Sequence, residues 1–121
     1  MAHQEHKLTY FNIRGLAEPI RMLLIDNGIP FVDNKVNKGE EWEKIKHEMQ
    51  FGQMPAYYDA DLKMQIVQTG AILRHLGRKH GLYGATEEEK ILCDMVHDAV
   101  RDSHGKYTQM IYRAYELVDF R

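Results

Sequence analysis

Hydrophobic and polar positions change period twice within the first third of the chain. Residues 7–11 form a short apolar run of strand length. From Leu16 to Leu24 the apolar residues recur at helical spacing, and Gly28 follows where a helix would stop. Residues 30–36 are a second strand candidate. Because such a crossover is right-handed, this β-α-β order predicts parallel pairing of the first two strands.

The next part of the chain carries the pattern of a hairpin followed by a helix. Residues 40–49 are charged and only weakly helical. Residues 54–58 and 62–67 are two short strand candidates, joined by a polar connection of hairpin length. A helix is predicted over about residues 70–79. The summed order, β-α-β-α-β-β-α, predicts an α/β domain with a thioredoxin-like fold over residues 1–80.

A short glycine-containing linker, residues 81–85, is predicted to lead into one long helix within residues 86–121. Thr86 followed by Glu89 is typical of a capping box, and an apolar stripe continues at helical spacing to about Tyr115. Such a helix would be about 45 Å long. Its apolar stripe needs a partner, so an oligomer is expected.

Composition narrows the class of function. The 121 residues are 44% hydrophobic with a formal net charge of −2, which argues against a nucleic-acid binder. No apolar run approaches membrane-spanning length, and the polar start lacks the apolar core of a signal peptide. A soluble cytoplasmic protein is therefore expected. Cys93 is the single cysteine, which excludes a Cys-x-x-Cys redox centre.

Seven histidines raise the question of a metal site. His97 and His104 lie seven apart on one helical face, whereas His3 and His6 lie near the start. No cysteine or carboxylate completes a dense cluster in the sequence, so no metal site is predicted.

Five short motifs occur in an order that resembles one enzyme family. They are LTYFNIRGLAEPIR at residues 8–21, FGQMP at 51–55, ILRHLGR at 72–78, GLYG at 81–84 and DMV at 94–96. Together they resemble cytosolic glutathione transferases that use a tyrosine, the pi class in particular, with some sigma-like character at the start. The resemblance extends from about residue 7 to residue 116.

The resemblance implies conjugation of the thiolate of reduced glutathione to hydrophobic electrophiles, a detoxification reaction, in a homodimer. The apolar stripe of the last helix is expected to be buried either in such a dimer or by an exchange of helices between chains. Members are usually close to twice this length, so it also implies truncation after the first long helix of an all-helical domain. An alternative is a truncated glutathione-binding or dimerising module with little or no turnover. Thr69 departs from the family, in which a serine is expected at this position.

The resemblance also implies a role for each of the residues that match the glutathione-binding motifs. Tyr10 would donate its hydroxyl proton to the glutathione sulfur and favour the thiolate. The other residues would hold the tripeptide: Arg14, Trp42 and Lys46 at its glycyl end, Gln53 and the Met54 backbone beside its cysteinyl main chain, and Gln68 and Thr69 at its γ-glutamyl group.

Further implied roles lie at the dimer and at the second substrate. Asp102 would reach the ligand held by the partner subunit, and Phe51 would insert between helices of that subunit. Ile13 and Tyr112 would contact the electrophile. The Met54-Pro55 motif implies a cis peptide bond before Pro55.

Each of these residues has an ordinary structural role as an alternative to its implied role in catalysis or binding. The thiol of glutathione has a free pKa of about 8.5, and a hydrogen bond to a charged group is worth about 1.5–3 kcal/mol, or roughly one to two pKa units. One tyrosine hydroxyl is therefore sufficient in principle. By itself a strand tyrosine is more often a core residue, Thr69 serves equally as a helix N-cap, and Phe51 as a buried aromatic. Asp102 shares four-residue spacing with Asp94 and Asp98, which is typical of a solvated helix face.

Overall fold

The computed structural model describes residues 4–117, with side chains as far as residue 111. It divides into two compact units, Met1–His80 and Gly81–Arg121. The first unit carries the sheet and three α-helices, and the second carries a single long helix.

A four-stranded mixed sheet forms the centre of the first unit. Its strands are β1 (Lys7–Phe11), β2 (Val32–Val36), β3 (Ala56–Asp59) and β4 (Met64–Val67), in the spatial order β2-β1-β3-β4. β1 pairs with β2 in parallel, whereas β3 is antiparallel to both β1 and β4. The predicted parallel first pairing and the hairpin are confirmed. The observed strands β2, β3 and β4 begin about two residues later than the sequence pattern indicated.

Two helices pack on one face of this sheet and enclose the core. α1 (Glu18–Asp26) follows a 3-10 turn, Gly15–Ala17, and α3 (Thr69–Lys79) follows β4 directly. Alternate residues of β1 and β3 meet apolar residues of both helices. The buried cluster consists of Leu8, Tyr10, Ala17, Ile20, Leu24, Tyr57, Ile72 and Leu76. The catalytic candidate Tyr10 therefore also belongs to the core.

The weakly helical segment between β2 and β3 is broken into three short pieces. α2 (Glu40–Ile45) is followed by two single 3-10 turns, Lys46–Glu48 and Gln50–Gly52. Phe51 interrupts the second turn with a φ of +59°. Seven of the nine residues 40–48 are charged or polar and leave little apolar surface to bury, which explains the fragmentation.

α4 (Glu87–Leu117) makes up most of the second unit and has 31 residues, a length of about 46 Å. The predicted capping box is confirmed: the Glu89 amide donates to Thr86 Oγ1 at 3.2 Å, and the Glu89 carboxylate accepts from the Ala85 amide at 2.6 Å. Hydrogen bonds from the Ala85 and Thr86 amides lower the pKa of the Glu89 carboxyl. Within the described residues, no helix is both long and apolar enough to cross a membrane.

Candidate functional site

Tyr10 lies near the carboxyl end of β1 with only 6% of its surface exposed. Its hydroxyl oxygen accepts a hydrogen bond from the Leu16 backbone amide at 3.2 Å. Since this bond uses the oxygen as an acceptor, the hydroxyl proton stays available as a donor. In the described part of the chain, no acceptor for that proton is present. Tyr10 is thus held in place by a donor while it keeps its own proton for a ligand.

Gly15 gives the loop after β1 its close approach to this hydroxyl. Its φ is +42°, and a Cβ at this position would lie 2.6 Å from Tyr10 Oη. A larger residue would therefore suffer both backbone strain and a collision with the catalytic candidate. Glycine is required here for a reason that involves the site directly.

Arg21 holds the backbone of the loop after β1 through hydrogen bonds. Its side chain is buried, and Nη1 donates to the Ile13 carbonyl oxygen at 2.9 Å. Nε donates to Asp33 at 3.2 Å, and Nη1 also contacts the Glu18 carboxylate at 3.2 Å. The guanidinium carbon lies 5.9 Å from the centre of the Tyr10 ring, within cation–π distance. In the sequence, Arg21 is only the last residue of the motif at residues 8–21, and its contacts with the loop after β1 could not be predicted.

Leu16 connects the Tyr10 loop to the start of α3. While its amide donates to Tyr10, its carbonyl oxygen accepts a hydrogen bond from Thr69 Oγ1 at 3.1 Å. Gln68 occupies the N-cap position of α3, so Thr69 is not the cap that the sequence had allowed for. Its buried hydroxyl ties the helix to the loop instead. Leu16 was not singled out from sequence, because its backbone rather than its side chain makes both contacts.

Gln53 and Gln68 are brought together across the sheet edge. Gln68 Nε2 donates to Gln53 Oε1 at 2.7 Å. Gln68 has a φ of +78°, a conformation that a non-glycine residue adopts only at a cost of about 1–3 kcal/mol. Such strain is typical of functional positions. Leu16 therefore joins Tyr10 to Thr69, and Gln53 contacts Gln68, which precedes Thr69 in the chain. These contacts link four of the predicted site residues.

The peptide bond between Met54 and Pro55 is cis, as the motif implied. Met54 is half-buried and packs against the core cluster, immediately before β3. Its backbone lies next to Gln53 in the chain.

The residues expected at the glycyl end come from different elements of the first unit. Trp42, in α2, packs edge-on against Phe11 with 5.6 Å between ring centres, so it has a packing role whatever else it does. Lys46 lines a cavity of about 400 Å³ beside Gly52. Arg14 lines a different cavity, on the loop after β1. Arg14 and Lys46 thus line different cavities, and their shared role at the glycyl end stays a prediction.

Phe51 is the most exposed large apolar side chain of the first unit, at 77%. The alternative of a buried aromatic is therefore wrong within the described chain. The turn that presents Phe51 is tied to β4 through Gln65, whose Oε1 accepts from the Gln50 amide at 2.9 Å. Gln50 Nε2 in turn donates to the Gln65 carbonyl oxygen at 2.6 Å.

The remaining predicted residues occupy the loop after β1 and the long helix. Ile13 is 46% exposed on that loop. Asp102 is exposed on α4. Tyr112 belongs to the backbone of α4, but its side chain lies outside the described residues.

An ion-pair network around Asp59 was missed by the sequence analysis. Asp59 ends β3 and is fully buried; His75 Nε2 lies 2.7 Å from its carboxylate and Lys79 Nζ lies 3.0 Å away. Burial alone would raise the pKa of Asp59, but hydrogen bonds from His75, Lys79 and the Leu62 amide hold it well below its usual range. Residues at positions 59, 75 and 79 share no sequence pattern, although the last two lie one helical turn apart.

His6, Asp59 and Asp61 also offer oxygen and nitrogen atoms within 4.8 Å of one another, the spacing of a possible metal site. Lys79 Nζ already contacts both carboxylates, at 3.0 Å and 2.6 Å. A hydrogen bond from Lys79 likewise lowers the pKa of Asp61. The ammonium group supplies the positive charge that this cluster requires, so the network is explained without an ion.

The family of the chain follows from comparison with known proteins. A family model described as glutathione S-transferase, N-terminal domain, matches residues 6–78. The chain is 56% identical over 111 residues to a glutathione S-transferase of Dirofilaria immitis, covering 92% of the chain and 52% of that protein. It is 41% identical over 113 residues to glutathione S-transferase P of Homo sapiens, covering 92% and 52%.

Solved structures give the same result. The pi-class glutathione S-transferase of Onchocerca volvulus is 55% identical and superposes with a TM-score of 0.87, covering 93% of the chain and 53% of that structure. The chain thus spans about half the length of the relatives that it matches. The matched domain contains the Tyr10 loop, the cis proline and the start of α3, and on this evidence the chain belongs to the glutathione S-transferase family.

Proposed function

We propose that this protein binds reduced glutathione and transfers its thiolate to hydrophobic electrophiles, a detoxification reaction, with Tyr10 as the thiol-activating residue. The observation that carries this proposal is the Tyr10 hydroxyl, which accepts from the Leu16 amide at 3.2 Å and keeps its proton for a sulfur atom. The reaction takes glutathione as a substrate and uses no metal. A cytoplasmic location, where reduced glutathione is abundant, belongs to the same proposal.

The chemistry asks little of the protein beyond this one hydrogen bond. At neutral pH only a few per cent of free glutathione is thiolate, because its thiol has a pKa of about 8.5. A donor aimed at the sulfur stabilises the charged form and lowers that pKa. The burial of Tyr10, which is 6% exposed, favours this effect, because a hydrogen bond is stronger in surroundings of low dielectric constant.

The start of α3 suits the γ-glutamyl end of the tripeptide. The first amides of an 11-residue helix have no intrahelical acceptors, and the helix dipole adds partial positive charge there. A carboxylate bound at this end would meet those amides together with Gln68 and Thr69. The strained φ of Gln68, +78°, supports a functional role for this turn.

The other end of the tripeptide is assigned to the segment between α2 and β3. Gln53 and the Met54 backbone would pair with the cysteinyl main chain, and Lys46 and Trp42 would hold the glycyl carboxylate. Arg14 stays a predicted member of this group. Ile13 and Tyr112 are proposed contacts of the electrophile.

A homodimer is part of the proposal. The exposure of Phe51 fits an aromatic side chain that enters a partner subunit, and α4 leaves several apolar residues exposed: Ile91, Leu92, Met95, Val96, Val100, Tyr107 and Met110. Burying this stripe is favourable by about 25 cal/mol per Å². Asp102 would reach the glutathione of the partner, and an exchange of helices between subunits is one way to cover the stripe.

Two measurements on the purified 121-residue chain test the proposal. Calorimetry measures glutathione binding, and conjugation to 1-chloro-2,4-dinitrobenzene, followed by absorbance, measures transfer. Binding together with conjugation above the uncatalysed rate supports the transferase. Binding without conjugation contradicts it and supports the alternative, a glutathione-binding module. Absence of binding contradicts both.

A further inference from the structure

A cavity of about 330 Å³ lies beside the Tyr10 loop, on the open edge of the sheet formed by β2. It is lined by Asn12, Ile13, Arg14, Glu18, Arg21 and Lys35. Three of these side chains are cationic and one is acidic. No residue assigned to the tripeptide lines it apart from Arg14.

Arg21 lines this cavity and carries one donor without a partner in the described chain. Its Nε and Nη1 are engaged by Asp33, Glu18 and the Ile13 carbonyl oxygen. Nη2 is buried and, among the described residues, has no hydrogen-bond partner. A buried guanidinium nitrogen without a partner is costly, by about 1–3 kcal/mol, so Arg21 carries positive charge that the described chain satisfies only in part.

Two further cations at the cavity are not neutralised by the chain. In the described region, neither the Arg14 guanidinium nor the Lys35 ammonium group has an ion-pair or hydrogen-bond partner. Lys35 pairs in register with Tyr10 across the parallel strands β1 and β2, so both side chains project from the same face of the sheet. The cationic groups therefore lie on the side of the sheet where the thiolate would form.

We propose that this cavity is a subsite for a carboxylate carried by the electrophilic substrate. Lys35 would bind the carboxylate oxygens, the buried Arg21 guanidinium would add positive charge beside them, and the half-exposed Ile13 would contact the apolar part of the same molecule. The inference rests on the proposed function and deepens it: electrophiles that bear an acidic group are preferred over neutral ones of the same shape.

The position of the loop explains why the anion belongs to the electrophile. Residues 12–16 contribute Ile13 to the cavity and the Leu16 amide to Tyr10, so one short loop contacts both the cavity and the thiol-activating hydroxyl. The two carboxylates of glutathione are assigned elsewhere, to the start of α3 and to Lys46. An anion bound at this cavity is therefore assigned to the second substrate.

Binding of an unreactive probe tests the subsite without any turnover. We would titrate 3-nitrobenzoate and 3-nitrobenzamide, which differ mainly in charge, into the ¹⁵N-labelled chain. The benzoate should bind roughly tenfold more tightly and shift the amide signals of residues 12–14 and 35. Equal affinity of the two probes, or benzoate shifts confined to other residues, would overturn the subsite.

A matched pair of lysine variants separates local contact from overall charge. Lys35→Gln should weaken benzoate binding roughly five- to tenfold, and Lys35→Arg should retain most of it. Lys63→Gln removes the same charge from the exposed turn between β3 and β4 and should leave the affinity within about twofold. An equal loss in Lys35→Gln and Lys63→Gln would contradict a specific contact at Lys35.

Turnover then distinguishes the two proposals. 4-Chloro-3-nitrobenzoate and its amide are matched aryl halides, and the subsite predicts a lower KM for the benzoate, with the difference lost in Lys35→Gln. Conjugation of both compounds with equal KM would overturn the subsite and leave the transferase intact. Localised benzoate binding without conjugation would support the anion site and contradict the transferase.

Discussion

Replacing Tyr10 by phenylalanine removes one oxygen atom and keeps the ring that packs in the core. The structure shows two consequences. The Leu16 amide loses its acceptor at 3.2 Å, and the thiol of glutathione loses its proposed donor. Leu16 is half-buried, so the lost backbone hydrogen bond should lower the free energy of unfolding by about 0.5–1.5 kcal/mol. The fold should therefore survive the substitution.

The effect on the chemistry should be larger than the effect on stability. A hydrogen bond to a charged sulfur is worth about 1.5–3 kcal/mol, so the pKa of the bound thiol should rise by roughly one to two units. Conjugation at neutral pH should fall about ten- to a hundredfold. The affinity for glutathione should change much less, because Gln53, Gln68 and Lys46 are independent of the hydroxyl. Raising the pH toward about 9 should recover much of the rate, since free thiol then ionises without help.

The assay is a pH profile of conjugation for the wild type and the variant, with the pKa of the bound thiol followed by ultraviolet absorbance of the thiolate. Tyr58→Phe is a matched control: it removes a hydroxyl that bonds to Gln4, away from the Tyr10 loop. It should leave the profile unchanged. Equal profiles for the wild type and Tyr10→Phe would refute the catalytic assignment, as would an equal loss in Tyr58→Phe.

Three further predictions concern the surroundings of the site. Gly15→Ala should lower the free energy of unfolding by about 1–3 kcal/mol and should also lower conjugation, because the added Cβ would lie 2.6 Å from Tyr10 Oη. Gly28→Ala is the control: its φ is +64° but no atom lies near the added Cβ, so urea unfolding should show only the loss due to backbone strain. Asp59→Asn should destabilise the fold by about 2–4 kcal/mol at pH 7. Because folding lowers the pKa of Asp59, that stabilisation is complete above the ordinary carboxyl pKa near 3.9 and is lost as the pH falls below it, so the urea midpoints of wild type and variant should converge in acid. Gln65→Ala should speed amide hydrogen exchange in the turn around residue 50 while leaving β1 protected, and equal exchange in both proteins would show that Gln65 does not hold the turn.

The sequence predicted the elements of the fold well because local signals agreed with tertiary packing. The change from strand to helix period at Leu16, the stop at Gly28 and the capping box at Thr86 each act within a few residues. Strand limits were less certain, since the start of a strand depends on its neighbours: Met54 and Leu62 fit a strand pattern, but pairing begins only at Ala56 and Met64.

Contacts between segments that are far apart in the chain could not be predicted from the sequence. The Asp59 network joins β3 to α3 across 16 and 20 positions, and no periodicity marks it. The resemblance implied a ligand contact for Trp42, and only the position of Phe11 shows that Trp42 also packs. The exposure of Phe51 depends on the positive φ of a broken helical turn, which the sequence pattern did not indicate.

The two hydrogen bonds of Leu16 explain how three separate segments can act on one small ligand. Its amide positions Tyr10 at the end of β1, and its carbonyl oxygen holds Thr69 at the start of α3. A tripeptide whose thiol meets Tyr10 while its γ-glutamyl group meets α3 requires these two points at a fixed separation. A single backbone position that contacts both provides this separation without any flexible side chain between them. Arg21 then fixes the loop itself through the Ile13 carbonyl oxygen. The precision of the proposed site is therefore a property of the loop backbone, and substitutions that move the loop should impair catalysis even where every ligand-contacting side chain is retained.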